Sequence, residues 1–346
     1  MNDEKFQLKP YLPVRRIGQS IWVGNLPPNG VEIEDAPAGL DALFGVLSSP
    51  TTLTDIGKIM HGTDGIMSEG WIDVVKQLID SGIVGTPAKA EGRYARHQLY
   101  FDMIGLDPVG AQAQLSKATV AVVGTGGIGS NVATILAAAG VGNIILADGD
   151  TVELSNLTRQ FLYAESSVGN LKVDEAAKRL KQINSEVGIT TIPENATREM
   201  FIDTLKASDV IVLSADNPDE LHQWIDEGAR VNNYAYLAAG YIEGHGSIGP
   251  TVIPGVTACY DCMIRQGEHS PSNKAVEMSG NLNLNHQAAS YGPLNMTVAS
   301  IAANETIRLL LGASATTAGN RMLIDSQSYQ SHLEKFDKLD DCKSCG

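Results

Sequence analysis

Two cysteine pairs, Cys259-x-x-Cys262 and Cys342-x-x-Cys345, are the whole complement of four in this chain. Paired thiols at that spacing bind zinc. Four thiolates close a tetrahedron and leave no position open for a substrate, so the expected Cys259/Cys262/Cys342/Cys345 zinc site is structural and staples the C-terminal tail to the body of the fold. It also takes every sulfur out of play. Covalent chemistry in this chain must then run without a cysteine nucleophile.

A second constellation is built for phosphate. The apolar run Ala118–Val123 is followed at once by GTGGIG, with Gly124, Gly126, Gly127 and Gly129, and then by a small-residue helical stretch, Ser130–Ala139, stopped by Gly140 and Gly142. Glycines at a strand-to-helix turn let backbone N–H groups approach a phosphate at the helix N-terminus. The next strand, Asn143–Ala147, ends in Asp148 and Asp150. Asp148 stands about 20 residues past the last glycine, where an acidic side chain binds ribose hydroxyls. So far the pattern fits any nucleotide, a nicotinamide cofactor included.

The following residues favour a polyphosphate. Arg159 lies in the segment Glu153–Gln160, and Lys172 opens the helical run Val173–Ile183. Two cations exceed what a dinucleotide bridge needs, although each alone also reads as a surface residue. Further on, the apolar strand Val210–Ser214 leads to Asp216 and Asn217. A carboxylate at the carboxyl end of such a strand faces the ligand crevice and can hold Mg²⁺ against phosphate oxygens; it can equally cap a helix over Pro218–Ala229.

These residues need a scaffold. Strand and helix patterns alternate from Ala118 onward, which predicts a doubly wound, mostly parallel α/β sheet. Before it lies a small β-then-α module, winged-helix-like, with strands at Val14–Ile17, Ser20–Val23 and Val31–Ile33 and helices at Leu40–Leu47, Thr52–Met60 and Glu69–Ser81. The polar stretch Thr86–Gly92 reads as a linker, which gives domains 1–88 and 89–346. With 40 acidic against 25 basic side chains, the net charge of −15 disfavours nucleic acid and anionic membranes as partners. No long apolar run or secretory signal is present, and a cytoplasmic location is expected. The loop Gly267–Gln287 reads either as a lid or as a crossover, and His269 and His286 in it are candidates for proton transfer.

Over residues 93–346 this ordered set resembles the ubiquitin-activating-like (E1-like, ThiF/MoeB) adenylating superfamily. Arg93-x-x-Arg96 is similar to its RYxRQ element, with His97 where glutamine is usual, and GxGGxG, the DxD of Asp148 and Asp150, NLxRQ at Asn156 to Gln160, GxxK ending at Lys172, Asp216-Asn217 and both cysteine pairs stand in family order. The resemblance implies ATP, Mg²⁺ and structural zinc. It implies that Asp148 binds ribose, that Asn156, Arg159 and Lys172 handle the triphosphate with Asp150 and Gln160 nearby, and that Asp216 carries magnesium. It implies a homodimer in which Arg96 reaches into the partner's nucleotide site. The segment from Leu213 to Cys262 and the added N-terminal module resemble the MccB/PaaA branch, which modifies ribosomally made peptide-antibiotic precursors. There the module implies peptide docking, although plain dimerisation fits it too. The expectation is adenylation of a precursor-peptide carboxylate followed by intramolecular capture. The alternatives are adenylation of a ubiquitin-like sulfur carrier and a non-catalytic scaffold.

Overall fold

The computed structural model describes residues 4–27, 30–87, 91–267 and 288–345. Two compact units result, Met1–Ala111 and Gln112–Gly346.

In the first unit β1 (Lys5–Leu8) pairs antiparallel with the two-residue strands β5 (Thr51–Thr52) and β6 (Val84–Gly85). A second sheet is the meander β2 (Val14–Ile17), β3 (Ser20–Val23) and β4 (Val31–Ile33). Alternation decides which way β3 faces: Ile21 and Val23 are buried while Trp22 points outward. Helices α1 (Gly39–Leu47), α2 (Leu53–Met60) and α3 (Ser68–Asp80) place Leu43, Leu47, Ile56, Met60, Trp71 and Val75 in the same core. Thr52 caps α2 by accepting from Asp55 N–H.

The unit runs past the linker read at 86–92. Lys9 Nζ donates to both carboxylate oxygens of Asp102, at 2.7 and 2.8 Å. Asp102 sits on α4 (Ala95–Met103), and burial, with this carboxylate, pushes Tyr11 up to about 12. A half-buried pair anchoring a helix to β1 is not visible in composition, and it moves the division downstream, into α5 (Pro108–Leu115).

The second unit is an α/β fold on an eight-stranded sheet, ordered β14-β13-β12-β11-β10-β7-β8-β9. Strands β7 (Thr119–Val123), β8 (Asn143–Ala147), β9 (Gly188–Ile192), β10 (Val210–Leu213) and β11 (Ala235–Ile242) are parallel. Strands β12 (His245–Val252), β13 (Asn320–Asp325) and β14 (Ser331–Lys335) continue it antiparallel. Helices α6 (Gly129–Ala139), α7 (Lys172–Ile183) and α10 (Gly292–Leu310) pack on one face, and α8 (Leu221–Asn232) with the turn Met200–Thr204 covers the other. Covered on both sides, the central strands are apolar throughout: Val120 to Val123 and Val210 to Leu213 are at most 2% exposed. Burying each such valine or leucine contributes about 1.5–3 kcal/mol. Among the described residues no helix is long and apolar enough to cross a membrane.

Candidate active site

From β7 the chain crosses to β8 on one side and later to β10 on the other, so the strand order reverses between β7 and β10. Loops after two such strands diverge and leave a crevice at their carboxyl ends. There the protein has a cavity of about 310 Å³, lined among others by Gly124, Asp148, Arg159, Lys172 and Asp216.

Its floor is the glycine turn. Gly124 has φ +86°, and a Cβ there would lie 2.7 Å from Ser214 O, on the loop after β10. A Cβ on Gly129, the first residue of α6, would stand only 1.9 Å from Gly124 O. The turn is therefore closed to side chains at both ends. Gly126 is open, its nearest neighbour being Gln160 Nε2 at 3.9 Å, which leaves its backbone accessible to a ligand. We expect Gly129→Ala to lose about 3 kcal/mol of stability together with nucleotide binding; denaturant titration and ATP titration check this, and an unchanged midpoint would contradict the geometry.

Around the turn, Asp148 is held at both oxygens: Oδ2 accepts from Thr125 N–H (2.7 Å) and Thr125 Oγ1 (3.0 Å), and Oδ1 from Asp150 N–H (2.9 Å). A carboxylate oxygen has a second lone pair, so an oriented Asp148 can still accept from a ribose hydroxyl. The bridge between Thr151 and Leu171 brings Asp150 to Lys172, whose Nζ stands 2.7 Å from Asp150 Oδ2. The lysine side chain is 8% exposed and the aspartate 66%, so a largely buried cation is held by an exposed partner at the cavity wall. Arg159 follows the short helix Leu154–Thr158 and donates from Nη1 to Ser155 O at 2.9 Å. Gln160 is 3% exposed, and its Oε1 has no partner among the described residues.

Asn156, to which the resemblance gave a triphosphate role, braces the turn that presents Arg159. It is not among the residues lining the cavity; its Oδ1 accepts from Glu153 N–H at 3.0 Å and closes the turn that presents Arg159. An amide this short competes well for a neighbouring backbone donor, and the structure uses it as a brace.

Asp216 does not cap a helix. The helix α8 begins at Leu221, with Glu220 before it, and Asp216 stands at the mouth, exposed as a residue although the walls crowd its carboxyl. That burial raises its pKa, and the nearby His222 opposes the rise. Burial likewise lowers the His222 pKa, opposed by Asp216. The imidazole stacks on Tyr260 with ring centroids 5.3 Å apart. Asp216, Ala239, Gly240 and Tyr241 also border a second, more apolar cavity of about 580 Å³, whose walls include Tyr236, Ile264 and Leu323. A nucleotide-sized cleft thus opens into an acceptor-sized one at Asp216.

The four cysteines come together at the start of α9 (Tyr260–Gly267) and in the C-terminal tail. Sulfur separations are 3.8 Å for Cys259 and Cys262, 3.5 Å for Cys259 and Cys342, and 3.5 Å for Cys262 and Cys345. Ligands about 2.3 Å from a tetrahedral zinc are roughly 3.8 Å apart, so the donor set fits that ion, and the separations are far too long for disulfides. Burial pushes the Cys259 thiol up. Burial works against Cys342 as well, but backbone N–H groups of Ser344 and Cys345, with the neighbouring thiols, bring it down to about 7. The buried Asp226 ties this region to α8, accepting from Tyr236 Oη and Tyr260 N–H, each at 3.0 Å.

Arg96 stands exposed on α4 of the first unit. The sequence 268–287, with His269 and His286, lies outside the described residues. Three site residues had escaped the sequence reading. Asn131 Nδ2 donates to Gly127 O at 2.7 Å, Tyr163 Oη to Thr125 O at 2.8 Å, and Asn295 lines the cavity from α10. Asn131 follows the glycine motif closely enough to have been suspected; the other two carry no local signal.

Known proteins share this arrangement. The ThiF family model matches residues 94–345. The sulfur carrier protein ThiS adenylyltransferase of Escherichia coli K12 is 31% identical over 254 residues, 73% of this chain and 94% of its own. Crystal structures of E. coli MccB align over 99% of this chain and all of theirs: with ATP, TM-score 0.80 and 27% identity; with AMPCPP and MccA, 0.82 and 26%. A crystal structure of PaaA shares the fold, with TM-score 0.76 and 23% identity over 95% of this chain and 99% of that one.

Proposed function

The chain belongs to the ThiF family and is an ATP-dependent adenylating enzyme, and from that premise we propose that it activates a carboxylate on a ribosomally made precursor peptide. The observation that carries this reading is the reach of the likeness. The sulfur-carrier adenylyltransferase accounts for 73% of the chain, whereas the likeness to MccB, seen in one structure with MccA, extends over 99% and so takes in the N-terminal unit. That unit offers free edge strands, to which an extended peptide can add itself. It is the docking domain in this reading, and the apolar cavity beside Asp216 takes the reacting end.

The chemistry asks little acid or base of the protein. A carboxylate is anionic near neutral pH, so its oxygen attacks the α-phosphorus of ATP, the bond to the β-phosphate oxygen breaks, and pyrophosphate leaves an acyl-adenylate. What the site must do is offset the negative charge of the triphosphate and align the two reactants. Lys172 and Arg159 stand at the wall for the first task, the oriented Asp148 holds ribose, and Arg96 completes the partner's site in a homodimer. Magnesium binds through one or two carboxylates plus substrate phosphates, a mode in which Asp216 at the cavity mouth is sufficient; when bound, the ion supplies further neutralisation. All four sulfurs belong to one cluster whose donor set and spacing suit structural zinc, so no thiol is left to take the acyl group. A nitrogen nucleophile within the same peptide then attacks the acyl carbon, the bond to the adenylate oxygen breaks, AMP leaves and the nitrogen gives up its proton, giving a cyclised or dehydrated product of peptide-antibiotic biosynthesis.

A second reading, activation of a ubiquitin-like sulfur carrier, is favoured by the 31% identity to the ThiS adenylyltransferase. ATP–pyrophosphate exchange separates the two. Exchange with a short precursor peptide and none with a carrier ending in Gly-Gly is expected; the opposite result overturns the peptide reading.

A further inference from the structure

We propose that Asn295, on α10, is a phosphate-binding residue of the nucleotide site, its carboxamide donating to the phosphate held against the glycine turn. The proposal rests on the adenylating reading and adds to it a group that none of the family motifs quoted above contains.

The helix α10 places Leu294, Val298, Ala299, Ala302 and Ala303 on its buried side, which is what a helix against a sheet requires. Asn295 breaks that pattern. It is 1% exposed, lines the nucleotide cavity, and its Oδ1 has no partner among the described residues. A buried polar atom left unpaired destabilises a folded chain, and a local rule broken without compensation marks functional positions. A purely structural requirement at this point would be met better by leucine.

The position is fixed from two sides. Gly292, at the start of α10, lies so close to the Arg159 segment that a Cβ would stand 2.6 Å from Thr158 O. This seats the first turn of the helix on the loop that carries Arg159 and Gln160. Asn295 in turn lies against the glycine turn, where a Cβ on Gly127 would be 2.2 Å from Asn295 Nδ2. The second orphan, Gln160 Oε1, lines the same cavity. Two carboxamides whose oxygens lack partners among the described residues therefore flank the backbone that a phosphate approaches.

Donor geometry is available. Asn295 Nδ2 now donates to Ser290 Oγ at 3.1 Å. A hydroxyl can donate as well as accept, so the carboxamide can turn its Nδ2 into the cavity and keep Ser290 as a partner through Oδ1. A hydrogen bond to a charged acceptor is among the stronger kinds.

MgATP binding without any acceptor tests this, together with the thermal midpoint of the ligand-free protein. Asn295→Leu is expected to weaken MgATP binding roughly tenfold or more while its midpoint stays level or rises, because an unpaired polar atom has been removed. Asn295→Asp, of the same shape but without a donor and with added negative charge, should bind MgATP more weakly still. That variant also carries the test if the leucine does not fold. Leucine or aspartate binding within about twofold of the unmodified protein overturns the proposal, as does a midpoint that falls in step with affinity, the mark of a structural role. If the unmodified protein itself does not bind MgATP, the adenylating reading falls first and this inference with it.

Discussion

Lys172→Ala removes pyrophosphate exchange, by about a hundredfold to a thousandfold, and leaves the fold as it is. Both halves follow from the ion pair at the cavity wall. The lysine carries its charge in a largely buried position, 8% exposed, where the screening that weakens surface charges is reduced. Its partner Asp150 is 66% exposed, so removing the cation leaves a carboxylate that water can solvate. An uncompensated buried charge, the usual reason such a deletion unfolds a protein, does not arise. What disappears is a cation at the wall of the cavity, which the proposed reading sets against the triphosphate. Asp216→Ala is expected to match it in effect, since that carboxylate stands where the two cavities meet. Asp150→Asn is the informative companion. It keeps the shape and the cation but strips the largely buried Lys172 of its partner, so it should lower the thermal midpoint where Lys172→Ala does not, while costing exchange less than either alanine. Near-normal exchange by Lys172→Ala or Asp216→Ala, with midpoints confirming the fold, would refute the assigned role.

The parts of this molecule legible in its sequence are those whose signal is local. Strands β2, β3 and β4 fall where alternation put them, and α1 to α3 differ from expectation by a residue at their ends. The glycine turn could be read because its constraints, a positive φ at Gly124 and the close approach at Gly129, are met within a few residues. The cysteine cluster was legible despite the separation of 83 positions between Cys259 and Cys342 because no other cysteine competed for partners. Where the signal is a tertiary contact, reading failed. Strands β5 and β6 are two residues long and exist because β1 pairs with them. The extension of the first unit depends on Lys9 meeting Asp102. Asn156, assigned to the triphosphate through the family resemblance, also closes the Arg159 turn by accepting from Glu153 N–H, a contact its own segment does not announce. Asn295 could not have been found, since nothing in its own segment says that α10 would lean on the Arg159 loop.

Cys342→Ser should abolish stoichiometric zinc and lower the thermal midpoint by roughly 10 °C, without changing the product formed at a permissive temperature. The size follows from how small the tail's apolar support is, its other ties being mostly exposed polar contacts such as Arg265 to Asp341. The hydrophobic cluster there consists of Ala258, Phe336 and the cysteines themselves, with Met263 and Leu339 partly buried against it. Structural zinc in small domains binds with about 10–16 kcal/mol, and a thiolate replaced by a hydroxyl forfeits roughly a quarter of that, about 2.5–4 kcal/mol, equivalent to about 10 °C in a domain of this size. The tail is not idle: Asp226 joins the first knuckle at Tyr260 to α8, which carries His222 beside Asp216. Loosening it therefore slows the enzyme by unfolding its wall, and the loss of activity should track the loss of zinc and of the midpoint together. Metal analysis, thermal unfolding and product mass measured on one preparation decide the matter. A variant that retained zinc and stability but lost activity would mean that Cys342 acts as a nucleophile, and that the acyl group does pass through sulfur.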